Sequence, residues 1–310
     1  MRVLVVGGLG FIGSHLVDFL LGRGESVEIV DASSATSPMG WRPAKALTIE
    51  RADITNFASI ERLVFDANPD CVVHLAAITG VKRCTDLPKE SFEINVYGTY
   101  NVTMATVSVG SKLIFISSRE VYGETLGAAT SERAPLRPNN LYGLTKLLGE
   151  RIVEWAHHKH GLRYTILRLT NVYGPRGEKY GLPTIVRKAI AGETIQLMGG
   201  SQVMNFLFVE DAIRAIAKCI DDPRSDNQVF NVGSSDQLSM SQLLAKISEL
   251  VGRPLTAVQV APRLGETQSF TPDTTKIRQV LNWSAQVSLD EGIKRLVASY
   301  ERGSNTLDAT

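Results

Sequence analysis

Cysteine is scarce: Cys71, Cys84 and Cys219 are the only three in 310 residues. An odd number without metal-ligand spacing argues against a disulfide framework or a zinc site and fits a reduced, cytoplasmic setting. Long apolar runs are missing too. No stretch approaches the ~20 residues of a membrane helix, and the apolar opening segment is too short, and too soon broken by glycines, for a signal peptide. Charge of one sign is also lacking, with 33 Lys and Arg against 32 Asp and Glu, a formal net charge of +1. With no basic run, neither nucleic acid nor a membrane surface is indicated as a partner. There is no internal repeat and no low-complexity linker. What remains, 44% hydrophobic and 21% charged residues, is globular composition long enough for one large domain or a domain with a cap.

The N-terminus carries a constrained turn. Val3-Leu4-Val5-Val6 has the unbroken apolar character of a strand buried on both faces. It runs into Gly7-Gly8-Leu9-Gly10-Phe11-Ile12-Gly13 and then an amphipathic helical stretch to Leu21. Gly8, Gly10 and Gly13 satisfy G-x-G-x-x-G between strand and helix. Glycine lets the backbone approach a pyrophosphate, and the helix N-terminus offers free N–H groups and a positive dipole end. Gly7, Gly10, Phe11, Ile12 and Gly13 are therefore candidate dinucleotide contacts. Ser26–Val30 reads as a second strand ending at Asp31, about twenty residues on, where a carboxylate can bond the ribose hydroxyls and repel a 2′-phosphate. The expected cofactor is NAD rather than NADP.

Strands are expected at Arg2–Val6, Ser26–Val30, Ala46–Glu50, Cys71–Leu75, Lys112–Ser117 and Arg163–Leu169. Helices are expected around Phe11–Leu21, Phe57–Asn68, Phe92–Val107 and Tyr142–His160. This alternation predicts an α/β fold, a Rossmann-type doubly wound parallel sheet. After Leu169 the regularity breaks, which predicts a smaller C-terminal substrate-binding lobe with a cleft between the two. The division is a Rossmann domain over 1–172 that also receives about 203–235, with 173–202 and 236–310 forming the lobe. Gly303 to Thr310 reads as a frayed tail.

Tyr142 and Lys146 stand four apart on an expected helix and so share a face. A free tyrosine titrates near ~10, and a nearby ammonium favours the phenolate. The pair could thus act as a base toward an alcohol near neutral pH. Taken alone it equally describes an exposed tyrosine beside a solvated lysine. Asn139 and Asn140 supply turn and helix-start chemistry just before it. Ser118 ends an apolar strand, the edge where parallel sheets bind ligands; its other reading is a cap. His157-His158-Lys159-His160 reads as a helix C-terminus closed by Gly161 rather than a metal site.

These residues together resemble the extended short-chain dehydrogenase/reductases that act on nucleotide sugars, a family including UDP-galactose 4-epimerase and the 4,6-dehydratases. Nearly the whole chain takes part. Beyond the glycine turn and Asp31 the resemblance rests on Asp53-Ile54, His74-Leu75-Ala76-Ala77, Asn95 with Gly98-Thr99, Ser117-Ser118 before Val121-Tyr122-Gly123, and Tyr142 with Lys146. Arg168, Asn171 to Arg176, Val209-Glu210-Asp211, Asn231-Val232-Gly233, Arg263 to Glu266 and Leu281-Asn282-Trp283 extend it. The resemblance implies that Asp53 and Ile54 flank the adenine, that Leu75, Ala76, Ala77 and Asn95 belong to the cofactor site, and that Lys146 also binds the nicotinamide ribose. It implies that Asn171 and Arg263 contact a nucleoside diphosphate and that the protein is a homodimer, through a helix bundle including the helix of Tyr142. Tyr142 would take the proton of the sugar 4-hydroxyl, with Ser118 on the same oxygen, and the reaction would pass through a transient 4-keto sugar. An epimerase then returns hydride to the other face; a dehydratase or decarboxylase diverts the keto sugar.

Two departures bear on that division. Arg119-Glu120 stands where the 4,6-dehydratases typically carry Asp-Glu, and arginine cannot donate a proton at ordinary pH; Arg119 is a candidate substrate contact instead. Glu120 is either a base or ligand at the sugar, or a structural carboxylate paired with Arg119 or Lys82. Met204-Asn205 stands where the family usually carries Arg-Asp, and that arginine commonly contacts the diphosphate. A nucleotide-sugar 4-epimerase is the leading expectation, a dehydratase or decarboxylase using Glu120 the second. A dinucleotide-binding sensor is a third, though such a protein would be expected to lose the tyrosine or lysine.

Overall fold

The computed structural model describes residues 1–33, 41, 47–125, 129–177, 181–198, 200, 202–261, 265 and 269–307. Seven strands form one wholly parallel sheet: β1 (Arg2–Val6), β2 (Ser26–Asp31), β3 (Thr48–Arg51), β4 (Cys71–His74), β5 (Lys112–Ser118), β7 (Arg163–Leu169) and β11 (Gln228–Val232). Their order is β3-β2-β1-β4-β5-β7-β11, so the direction of winding reverses at β1. Ligands of open parallel sheets bind beyond the carboxyl ends of the strands at such a reversal.

Both faces of the sheet are covered, which is why β1 is apolar at consecutive positions. Val3 and Val5 join the core shared with α1 (Phe11–Gly22); Leu4 and Val6 join the one beneath α2 (Phe57–Ala67). Two short helices follow β4, α3 (Val81–Asp86) and α4 (Pro88–Phe92). The expected helix over Phe92–Val107 is not continuous: a π-helical turn, Glu93–Gly98, precedes α5 (Thr99–Ser108). Its cause is local. The inserted turn carries the Asn95 amide to the Ile78 backbone, where its oxygen accepts from Ile78 N at 2.8 Å and its nitrogen donates to Ile78 O at 2.9 Å. Such π-bulges concentrate at functional sites.

Helix α6 (Leu141–His160) is held from both ends. The Asn140 side chain accepts from Gly143 N at its start, and Gly161 closes it in the left-handed conformation, φ +73°. The second half adds β6 (Ala129–Thr130), β8 (Asn171–Tyr173), β9 (Ile195–Met198), β10 (Val203–Phe208), β12 (Gln237–Ser239), β13 (Ala257–Val260) and β14 (Thr271–Pro272) in three small sheets. Its helices are α7 (Gly181–Ala191), α8 (Val209–Asp221), α9 (Met240–Val251), α10 (Thr275–Leu281) and α11 (Leu289–Leu307). Among the described residues of this half, β11 alone rejoins the main sheet; β10 pairs with β8 and β12 instead. Of the expected frayed tail, residues 303–307 continue α11, as helix propagation costs little once a long helix is nucleated, while residues 308–310 lie outside the described residues. No described helix is long and apolar enough to cross a membrane.

Candidate active site

The glycine turn follows β1, and its constraint falls on particular glycines. Gly7 has φ +86°, and a Cβ there would lie 2.6 Å from Ala76 N. A Cβ on Gly13 would lie 2.4 Å from Gly7 O. A Cβ on Gly8 would lie 2.8 Å from the Ile29 side chain and 3.2 Å from Val5 O, so the backbone-to-backbone constraint is tightest at Gly7 and Gly13. Gly10 caps α1 without any side-chain hydrogen bond, and the first turn holds no acidic residue. The N-terminal amides are thus left to an anionic ligand. Asp31 Oδ2 accepts from Leu9 N at 3.0 Å and Oδ1 from the Ser33 backbone and hydroxyl at 2.9 and 2.7 Å. The carboxylate therefore fixes the turn, and Oδ2, which accepts one bond, retains a lone pair for a ribose hydroxyl. Phe11 and Ile12 are half-buried, as are Leu75, Ala76 and Ala77 beyond β4. This cradle fits a dinucleotide, which when bound supplies a hydride acceptor and donor.

Asp53 and Ile54 differ from one another. Asp53 is exposed and accepts from Thr55 N and Oγ1 at 2.9 and 2.8 Å, whereas Ile54 is buried against Gly98. Asn95, expected in the cofactor site, is buried with its amide directed to Ile78 and to Thr145 Oγ1 at 3.0 Å. It positions the loop after β4 against α6 instead of presenting a free amide.

Ser118, Arg119, Glu120, Tyr142 and Asn171 all line one cavity of about 760 Å³. Strand β5 ends at Ser118, whose hydroxyl oxygen accepts from Glu120 N at 3.2 Å and caps a single 3₁₀ turn, Arg119–Val121. The capping role and a ligand role are compatible, because the hydroxyl proton stays available. Lys146 is buried one helical turn after Tyr142, its ammonium donating to Ile116 O at 2.9 Å and lying 5.0 Å from the Phe115 ring centre. Burial pulls its pKa down to about 8. The helix reaches this depth because two glycines face the sheet: a Cβ on Gly143 would lie 2.3 Å from Glu120 O, and one on Gly149 2.6 Å from the Phe115 ring. A buried pair fixes its rotation. Arg168 Nη2 and Nε donate to the two Glu150 oxygens at 2.7 and 3.0 Å, and Ser117 Oγ donates to Oε1 at 2.5 Å.

The Glu120 carboxylate is engaged on both oxygens. Oε1 pairs with Arg119 Nη2 at 2.8 Å, and Oε2 accepts from Asn140 Nδ2 at 2.8 Å. The pairing partner is Arg119; Lys82 instead pairs with Asp86. Met204 lines the cavity, while Asn205 is buried with its amide nitrogen donating to Ser234 O and Asp236 O at 2.9 and 2.8 Å. An aspartate could not make those two donations. Arg263 lies outside the described residues. Lys188 on α7 and Thr170 after β7 are among the cavity-lining groups that the sequence does not mark. No local pattern marks either one, because the cavity is assembled from distant segments.

With the cradle and the cavity in place, comparison with known proteins gives a consistent result. Residues 3–233 match the model of the NAD dependent epimerase/dehydratase family. The chain belongs to that family. It is an NAD-dependent enzyme. It is 33% identical to a UDP-glucose 4-epimerase of Mycolicibacterium smegmatis, over 98% of this chain and 100% of that one. It is 31% identical to a dTDP-glucose 4,6-dehydratase of Streptomyces griseus, over 97% and 94%. The crystal structure of UDP-glucose 4-epimerase from Thermotoga maritima superposes with a TM-score of 0.92 at 31% identity, over 97% of this chain and 99% of that one. Relatives of both activities thus lie at similar distance, and the family membership does not choose between them.

Proposed function

We propose that this enzyme is a nucleotide-sugar 4-epimerase. The observation that carries the reading is the engagement of Glu120 by Arg119 and Asn140 in the cavity that also holds Ser118 and Tyr142. A dehydratase needs a proton donor for the leaving hydroxyl and a base at the adjacent carbon. Here the donor position is a guanidinium, and the neighbouring carboxylate is held by two partners. An epimerase needs neither group. It needs one base for the 4-hydroxyl, which Tyr142 supplies, with Ser118 hydrogen-bonding the same oxygen and the Lys146 charge favouring the phenolate.

In the forward half-reaction Tyr142 takes the hydroxyl proton as hydride leaves C4. The sugar then presents its other face, and Tyr142 returns the proton to the C4 oxygen as hydride returns to carbon. NAD, a nucleoside-diphosphate sugar on Asn171 and Arg263, and ribose contacts from Asp31 and Lys146 complete the reading. Arg119 also lies on the sugar side of the cavity. The second reading, a dehydratase or decarboxylase, is favoured by one fact, that Glu120 still lines the cavity. Incubating the protein with UDP-, dTDP-, GDP- and CDP-sugars and resolving products by mass and NMR separates the two. A product of unchanged mass with inverted C4 supports the epimerase; loss of water or carbon dioxide contradicts it.

A homodimer is supported by a stripe of exposed aromatics across α5, α6 and the π-helical turn. Tyr97 stacks on Tyr100 and Tyr100 on Trp155, each at 6.4 Å, with Tyr97 53% and Trp155 46% exposed. Sedimentation should give twice the chain mass, and Trp155→Glu should halve it. A cytoplasmic setting is supported by three buried, free thiols.

A further inference from the structure

The cavity holds two buried polar groups that find no partner among the described residues. Arg119 is 6% exposed, and its Nη1 has no hydrogen-bond acceptor among the described residues. Thr170 is 7% exposed, and its Oγ1 likewise has no partner. Both line the cavity beside Ser118 and Tyr142. They are also neighbours by construction. Ser118 of β5 pairs with Leu169 of β7, so the next residues, Arg119 and Thr170, leave adjacent parallel strands side by side at their carboxyl ends.

An unpaired buried donor costs about 1–3 kcal/mol, and more on a charged group. Arg119 cannot relieve this by losing its proton. Glu120 satisfies Nη2 only, and Asn140 takes the other carboxylate oxygen. The Phe270 ring, 5.7 Å from the guanidinium carbon, adds a cation–π contact but no acceptor. A guanidinium N–H beside a hydroxyl is the donor set for a carboxylate.

We propose that the sugar taken by this site is a hexuronic acid, whose carboxylate is received by Arg119 and Thr170. The inference rests on the epimerase reading, since Ser118 and Tyr142 place the 4-oxygen next to Arg119. A neutral hydroxymethyl group at the same carbon offers the Arg119 Nη1 donors no charged acceptor, so the site discriminates against ordinary hexoses. The sequence offers Arg119 both as a substrate contact and as a structural partner of Glu120, and the unsatisfied nitrogen is what favours the ligand role.

The test measures binding and turnover separately. Calorimetry on the NAD-loaded Tyr142→Phe protein compares UDP- and dTDP-glucuronate with the corresponding glucose nucleotides. The expected result is about 10- to 100-fold tighter binding of a uronate. Arg119→Met should abolish that preference, Arg119→Lys should restore part of it, and Thr170→Val should reduce it severalfold. Equal affinity for uronate and neutral sugar, a preference unmoved by Arg119→Met, or no binding of either uronate overturns the inference. Turnover by the unmodified enzyme judges the other reading: a preferred uronate that loses carbon dioxide sinks the epimerase assignment and leaves the carboxylate site standing. Clean C4 inversion of a neutral sugar with no uronate preference does the reverse.

Discussion

Asn140 joins two parts of the site that are twenty residues apart in sequence: its Nδ2 donates to Glu120 Oε2 at 2.8 Å while its Oδ1 accepts from Gly143 N at 2.8 Å. The same nitrogen lies 3.0 Å from Gly265 O, in the loop after β13. One amide therefore starts the helix of Tyr142, holds the Glu120 carboxylate and meets the Gly265 carbonyl. Asn140→Ala should cost about 1 kcal/mol from the lost cap and should lower kcat at least tenfold. Asn140→Asp keeps the cap but sets a carboxylate against Glu120. It should retain stability better than activity, which thermal unfolding and steady-state kinetics would separate. Equal losses in both would mean that the residue is a cap only.

Gly143 is predicted to tolerate no side chain. A methyl group would fall 2.3 Å from the Glu120 carbonyl, a backbone atom that cannot rotate away. Gly143→Ala must displace the first turn of α6, and a displacement of about 1 Å of a catalytic group can cost ~100-fold in rate. Gly110→Ala serves as a contrasting variant; it meets nothing within 4 Å, although its φ of +68° makes it mildly destabilising. Comparable kcat values for the two variants would contradict the packing account.

Lys146 makes function and stability oppose each other. Its pKa is lowered from the ordinary 10.5 to about 8 by burial, so keeping it charged in the folded, cofactor-free protein costs about 3 kcal/mol below pH 8. The sign follows from the lowered value. As pH rises from about 8 to 10.5 the folded protein sheds this proton before the unfolded chain does, and the penalty fades. Lys146→Met should therefore stabilise the cofactor-free protein by about 1 kcal/mol at pH 7, after the lost bond to Ile116 O is allowed for, with the gain shrinking above pH 8. The same variant should be inactive, and the activity of the unmodified enzyme should fall as pH rises past about 8. A destabilised Lys146→Met at pH 7 would contradict this.

The Glu150–Arg168 pair should behave oppositely, as structure without chemistry. Glu150 is fully buried and Arg168 nearly so, and Arg168 Nη1 also donates to Tyr122 Oη at 2.8 Å. Glu150→Gln leaves a buried guanidinium without its counterion, expected to cost about 3–5 kcal/mol. Chemical denaturation would check this; a loss below about 1 kcal/mol would show that the pair does not fix α6.

The parts legible in the sequence are those whose constraint is local. The glycine turn, the β1 run, the Asn140 cap and the Gly161 stop each depend on a few consecutive residues, and the structure has them within a residue or two. The π-helical turn escaped because its cause, the Asn95 bond to Ile78, spans seventeen residues and has no helical periodicity to betray it. Gly7 and Gly8 look alike in sequence; the φ of +86° and the close approach of Ala76 mark Gly7 as the more constrained. The partner of Glu120 was narrowed to Arg119 or Lys82 but not chosen, since Lys82 finds Asp86 one helical turn along its own helix. Lys188 and Thr170 left no trace, because a cavity built between distant segments has no signature in any one of them.

The central claim is that Tyr142 begins an oxidation whose hydride returns to the carbon it left. A nucleotide sugar carrying deuterium at C4, converted in ordinary water and examined by NMR, tests this directly. The account predicts the label retained at C4 with inverted configuration, no solvent hydrogen at C5, and no conversion by Tyr142→Phe. Label found at C6, solvent hydrogen exchanged into C5, or turnover surviving in Tyr142→Phe would contradict it.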